Sequence, residues 1–137
     1  MTRALVVDDS RAMRSILTRI LSSLGMEVVE AEDGQSALAK LQQFPPFDVA
    51  LVDWHMPGMT GLELISDMHR QPKWRSMAIM MVTTESDQSQ IVRALNAGAH
   101  EYLVKPFTAD AVAEKLLLLG VKFSKGNGSE STMGGNN

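Results

Sequence analysis

The 137-residue sequence contains no cysteine, which excludes a disulfide framework and any thiolate metal site. No apolar run approaches the ~18 residues of a membrane-spanning helix. Met1-Thr2-Arg3 leads straight into a strand-like segment, leaving no room for the apolar stretch of a signal peptide. The chain is therefore expected in the cytoplasm, with no membrane partner. Neither sign of charge dominates: the formal net charge is −3, which gives no electrostatic reason to bind nucleic acid or an anionic surface. What is present is ordinary apolar material, 45% of the residues, enough for one core. The length suits a single domain.

Two periods alternate along the chain. Short runs rich in Val, Leu and Ala predict buried strands at Ala4–Asp8, Glu27–Ala31, Val49–Asp53, Ala78–Thr83 and Tyr102–Val104. Helical spacing fills the gaps. Met13, Ile16, Leu17, Ile20, Leu21 and Leu24 line one face, and Gly25 stops that helix. A second helix follows Gly34 and ends before Pro45-Pro46. A third opens after Gly61 with Leu62, Ile65 and Met68 inward, a fourth carries Ile91, Leu95 and Asn96, and a fifth sets Val112, Leu116 and Leu119 on one stripe. Strand–helix alternation of this kind predicts right-handed crossovers and a parallel sheet covered on both faces: an α/β, doubly wound, three-layer sandwich. The segment after Leu119 differs, with five glycines scattered among Ser, Asn and Lys. Residues 1–119 are read as the domain and 120–137 as a disordered Gly/Ser/Asn-rich tail.

In such folds ligands sit beyond the carboxyl ends of the strands. The residues collected there are Asp8 and Asp9 after the first strand, Asp53 after the third, Thr83 and Thr84 after the fourth, and Lys105-Pro106 after the fifth. Taken singly, each has a plain structural reading. Asp9 or Ser10 could cap the first helix, either Thr could cap the fourth, and Lys105 could be a solvated charge. Asp53 is harder to explain away, because it ends the apolar run Val49-Ala50-Leu51-Val52. Converging carboxylates repel by roughly 4 kcal/mol per pair at 4 Å and an effective dielectric of 20. A hard divalent cation resolves that conflict, and an all-oxygen site suits Mg²⁺. With an ammonium at Lys105 and a hydroxyl at Thr83, the set forms an electrostatic cradle for a phosphoryl group. Asp53, on the deeper strand, is the expected phosphoacceptor.

The segments V-D-D-S-R-A-M-R, V-D-W-H-M-P-G-M-T-G-L-E-L, V-T-T-E and A-G-A-H-E-Y-L-V-K-P-F-T stand in an order and at spacings that resemble response-regulator receiver domains, and within that family the single-domain chemotaxis regulators. The resemblance runs from Leu5 to Leu119. It implies a flavodoxin-like five-stranded sheet of order 2-1-3-4-5 with five helices. It also implies that Asp53 takes a phosphoryl group from a histidine kinase, that Mg²⁺ is held by Asp8, Asp9, Asp53 and the backbone carbonyl of His55, and that Thr83 and Lys105 contact the phosphoryl oxygens. A cis Lys105–Pro106 bond is a further family expectation. Thr83 and Tyr102 would form the switch, repacking the face made by the fourth helix, fifth strand and fifth helix. His55 and Glu85 would tune dephosphorylation. His55 departs from the Asn common in motility members, which bears on any phosphatase that relies on that amide. The implied output is docking on a downstream protein such as a flagellar motor switch protein; a phosphorelay or another two-component pathway is the alternative.

Rival readings are weaker. An aspartyl-phosphate phosphatase needs an acid two residues beyond its nucleophile, where this chain has His55. A nucleotide or flavin binder needs a phosphate-cradling loop after the first strand, where this chain has two carboxylates. A partner-binding pseudo-receiver would not need the whole acid set together with Thr83 and Lys105. Trp54 and the methionines of Met77–Met81 are expected in packing roles, and His69 and His100 at the surface or at helix ends.

Overall fold

A computed structural model describes residues 1–84 and 87–124. In chain order the elements are β1 (Arg3–Val7), α1 (Arg11–Ser23), β2 (Glu27–Ala31), α2 (Gly34–Gln43), β3 (Val49–Asp53), α3 (Gly61–Arg70), a 3₁₀ turn (Pro72–Trp74), β4 (Ala78–Thr83), α4 (Gln88–Ala97), β5 (Glu101–Val104) and α5 (Ala109–Leu118). The strands form one five-stranded parallel sheet of order β2-β1-β3-β4-β5, the order that the receiver-domain resemblance implies.

Successive strand residues point to opposite faces, and two cores result. Leu5, Val7, Ala50, Val52, Ile79 and Met81 meet α2, α3 and α4 on one side, while Ala4, Val6, Val49, Leu51, Met80 and Val82 meet α1 and α5 on the other. Because both faces are covered, β3 is buried along its whole length.

Helix starts are set by short polar side chains that accept a first-turn N–H: Ser10 from Met13, Asp33 from Ser36, Asp87 from Ser89 and Thr108 from Ala111. Thr60 and Glu63 form a reciprocal capping box at α3. Thus Ser10 caps α1, and neither Thr83 nor Thr84 caps α4.

Details differ from the sequence reading at element edges. β1 stops at Val7, so Asp8 stands just beyond it, and β5 begins one residue early at Glu101. On α3 Leu64 joins Ile65 and Met68 in the core while Leu62 is only half-buried. Ile16 and Leu95, expected inward, are exposed at 45%, because the buried stripes of α1 and α4 are narrower than the periodicity suggested. Nor does the chain leave the body at Leu119, although 125–137 of the expected tail lies outside the described residues. Val121 is buried, Phe123 packs on the α1–α5 core, and the Ser124 N–H donates to the Leu24 carbonyl at 3.0 Å. No described helix is long and apolar enough to cross a membrane.

Candidate functional site

The strand order reverses around β1, and the crevice between the carboxyl ends of β1 and β3 is where such a sheet binds ligands. Asp8 and Asp53 lie there, 1% and 6% exposed, beside exposed Asp9. One carboxylate oxygen from each of these three residues lies within 4.8 Å of the other two. Hard oxygen donors converging from three residues, with one side open to water, fit a divalent cation of the Mg²⁺ kind.

Lys105 enters from the next-but-one strand. Its ammonium donates to Asp8 Oδ2 at 3.0 Å and to Asp53 Oδ1 at 3.3 Å. Its backbone N–H donates to the Thr83 carbonyl at 2.8 Å, which ties the ends of β4 and β5 together and sets fully buried Thr83 beside the same crevice. The Lys105–Pro106 bond is cis. Burial pushes the Asp53 carboxyl above its ordinary value, and the neighbouring Asp8 charge adds to the rise; Lys105 opposes it without cancelling it.

Asp8 is constrained at every polar atom. Its N–H donates to the Ala31 carbonyl at 3.2 Å, its Oδ1 accepts from the Ser10 N–H at 2.8 Å, and its carbonyl accepts from Arg14 Nη1 at 2.7 Å. The turn after Asp53 is pinned by a close approach: the Gly61 N–H donates to the Trp54 carbonyl at 2.8 Å. A Cβ on Gly61 would fall 2.0 Å from the Asp53 carbonyl oxygen, so only glycine lets α3 begin against the end of β3.

The remaining sequence candidates are placed as follows. Trp54 is buried in a packing role, with the His55 ring stacked on it at 6.1 Å and 22°. Arg93 of α4 covers the same indole at 5.7 Å from its centroid. Tyr102 lies buried in the core shared with α3 and α4. Met77, Met80 and Met81 are core residues. His69 and His100 are exposed, although His100 Nδ1 also accepts from the Ile79 N–H at 3.0 Å. Glu85 lies outside the described residues. The roles of Arg14, Gly61 and Arg93 were not foreseen. Both Arg14 and Gly61 stand inside quoted motifs; Gly61 also marks a helix start in the sequence, but its contact with the end of β3 leaves no trace there.

The geometry has parallels among known proteins. Residues 4–117 match the model of the response regulator receiver domain. The chain is 43% identical over 115 residues to the chemotaxis protein CheY1 of Helicobacter pylori, covering 83% of this chain and 93% of the relative. It is 44% identical over 115 residues to a CheY homolog of Campylobacter jejuni, covering 83% and 88%. Among solved structures, chemotaxis protein CheY4 of Vibrio cholerae superposes with a TM-score of 0.82 at 36% identity, covering 87% of this chain and 98% of that one. A CheY-like receiver domain protein from Methanospirillum hungatei gives 0.79 at 34% identity, covering 88% and 94%.

Proposed function

Because this chain belongs to the response regulator receiver domain family, we propose that Asp53 is its phosphoacceptor and that the chain works as a chemotaxis response regulator, switching between partners. Receiver domains bind Mg²⁺ through an acidic pocket, and Asp8, Asp9 and Asp53 are the residues present here to form it. The observation that carries the reading is the placement of Asp53: a carboxylate 6% exposed that shares the Lys105 ammonium with the Asp8 carboxylate.

In this reading Asp53 Oδ attacks the phosphorus of a histidine kinase's phosphoimidazole. The P–O bond forms as the P–N bond breaks, and the bonding electrons return to the imidazole nitrogen. Burial strips Asp53 of competing water and leaves its oxygens reactive. When bound, with the His55 backbone carbonyl as a further ligand, Mg²⁺ supplies positive charge against the phosphoryl oxygens. Lys105 holds one oxygen from the β5 side, and the Thr83 hydroxyl receives another. Drawing Thr83 inward changes the packing beneath Tyr102, which biases the α4-β5-α5 face toward a downstream protein such as a flagellar motor switch protein. His55 and Glu85 flank the route of the hydrolytic water and set the phosphoryl lifetime and any phosphatase's access; replacing His55 by Asn should alter the dephosphorylation rate, and equal rates would discard that role.

The test follows Trp54 fluorescence in a Trp74→Phe background, titrating Mg²⁺ and beryllofluoride with and without a motor-switch peptide. Expected is Mg²⁺-dependent quenching with tighter peptide binding, absent in Asp53→Asn. Tyr102→Ala should keep the quenching and lose the tighter peptide binding. Quenching without peptide binding would move the output to another two-component target. No response to metal or mimic would leave a partner-binding scaffold.

A further inference from the structure

The first acid motif contains an arginine to which the phosphoacceptor chemistry gives no work. Arg14 is 15% exposed at its side chain, which is deep for a guanidinium. Its Nη1 donates to the Asp8 carbonyl at 2.7 Å, and its Nε donates to Glu30 Oε1 at 3.2 Å. Glu30 is held in turn by the Thr18 hydroxyl, which donates to Oε2 at 2.8 Å. A chain of contacts thus runs from α1 through the outer strand β2 back to the acid turn.

The atom that Arg14 grips decides what it does. The Asp8 carbonyl belongs to the peptide plane joining Asp8 to Asp9. The next plane, joining Asp9 to Ser10, is held by the Ser10 N–H on Asp8 Oδ1 at 2.8 Å. Asp9 is exposed, so these two planes aim its carboxylate. Fixing both of them fixes the direction in which Asp9 leaves the backbone. Without the Arg14 contact the Asp8–Asp9 plane is free to rotate, and mutual repulsion would turn Asp9 toward water.

We propose that Arg14, anchored by Glu30 and Thr18, is a positioning residue that preorganises the Asp8–Asp9 turn and thereby sets the Mg²⁺ affinity of the acid pocket. The proposal rests on the receiver reading above. A competing electrostatic role predicts the opposite sign. Arg14 shares a cleft of about 240 Å³ with Asp9, Glu32, Asp33 and Pro57, so a guanidinium acting only as a charge would repel the metal, and its removal would tighten binding. Lysine separates the two roles: it keeps the charge but cannot span the Asp8 carbonyl and Glu30 with a planar fork.

The experiment is calorimetric titration of the full chain with MgCl₂, for wild type, Arg14→Lys, Arg14→Gln and Glu30→Gln, with the melting temperature of each. Expected is about tenfold or greater weakening in both Arg14 variants, the usual range for partners that orient metal ligands, and a smaller loss in Glu30→Gln. At saturating Mg²⁺ the beryllofluoride response should return to its wild-type amplitude, which a general structural defect would not allow. If an Arg14 variant fails to fold, Glu30→Gln and Thr18→Val carry the test, since they loosen the anchor and keep the guanidinium. Unchanged affinity in the variants, or tighter binding in Arg14→Gln with Arg14→Lys unchanged, would overturn the proposal while leaving the receiver reading intact. Absence of Mg²⁺ binding in the wild type would remove both.

Discussion

At the scale of single residues, Asp53 is a carboxylate held where ionisation is disfavoured. Burial and the Asp8 charge raise its pKa above the unperturbed value, so the folded chain binds the proton more readily than the unfolded one. The ionised group then subtracts from stability at neutral pH, and the penalty lifts as pH falls through the folded pKa toward the ~3.9 of an unfolded Asp. In metal-free buffer Asp53→Asn is therefore expected to melt above the wild type at pH 7, with the gap closing on acidification. A lower melting temperature for Asp53→Asn would show that the Lys105 contact at 3.3 Å outweighs burial. The carboxylates, Thr83 and Lys105 were legible in the sequence because a polar residue ending an apolar strand is costly without a purpose. The Arg14 contact was not, since its acceptor is a main-chain carbonyl, a group that every residue carries.

At the scale of elements, the strands were legible because burial on both faces demands unbroken apolar runs, and the helix ends because Gly25, Gly34, Gly61 and Pro45-Pro46 punctuate the chain; the caps at Asp33 and Thr60 came only from the structure. The rims of the helical faces were not legible. A period of 3.6 residues fixes the middle of a stripe, whereas its width depends on how closely the helix meets the sheet, as exposed Ile16 and Leu95 show. Gly61 belongs to the same category: it opens a helix in the sequence, but its need for glycine comes from β3 behind it. A Cβ there would meet the Asp53 carbonyl oxygen at 2.0 Å and the Trp54 Cα at 2.9 Å. Both are backbone atoms with no rotamer to escape into, so α3 must retreat or β3 must bend. Gly61→Ala is expected to lower stability by ~1–3 kcal/mol or more and to weaken Mg²⁺ binding with it, because the displaced residue is the acceptor. Denaturant midpoints and Mg²⁺ titration check this; unchanged values for both would mean that α3 yields freely.

At the scale of the whole molecule, the sheet separates two tasks. The acid cluster occupies the carboxyl ends of the strands, and residues 121–124 close the amino ends. There the Thr2 hydroxyl donates to the Lys122 carbonyl at 2.6 Å, Ser124 is bonded to Leu24, and Val121 is buried. The glycine-rich composition from 120 onward drew the expected domain boundary at Leu119, because composition averages over a window and two apolar residues inside a polar stretch leave little mark. Val121 and Phe123 are those two. Burying a side chain such as Val contributes about 1.5–3 kcal/mol, and each hydrogen bond adds roughly 0.5–1.5 kcal/mol. A chain ending at Gly120 is therefore expected to be ~2–4 kcal/mol less stable than one ending at Ser124, which retains every contact named here. Since the segment lies at the opposite end of the sheet from Asp8 and Asp53, the shorter chain should still bind Mg²⁺ with unchanged affinity wherever it remains folded. Urea midpoints for the two chains, with a Mg²⁺ titration of each, decide it. Equal midpoints would show that the 121–124 contacts form without adding to stability, and a loss of Mg²⁺ affinity in the folded shorter chain would show that the two ends of the sheet are coupled.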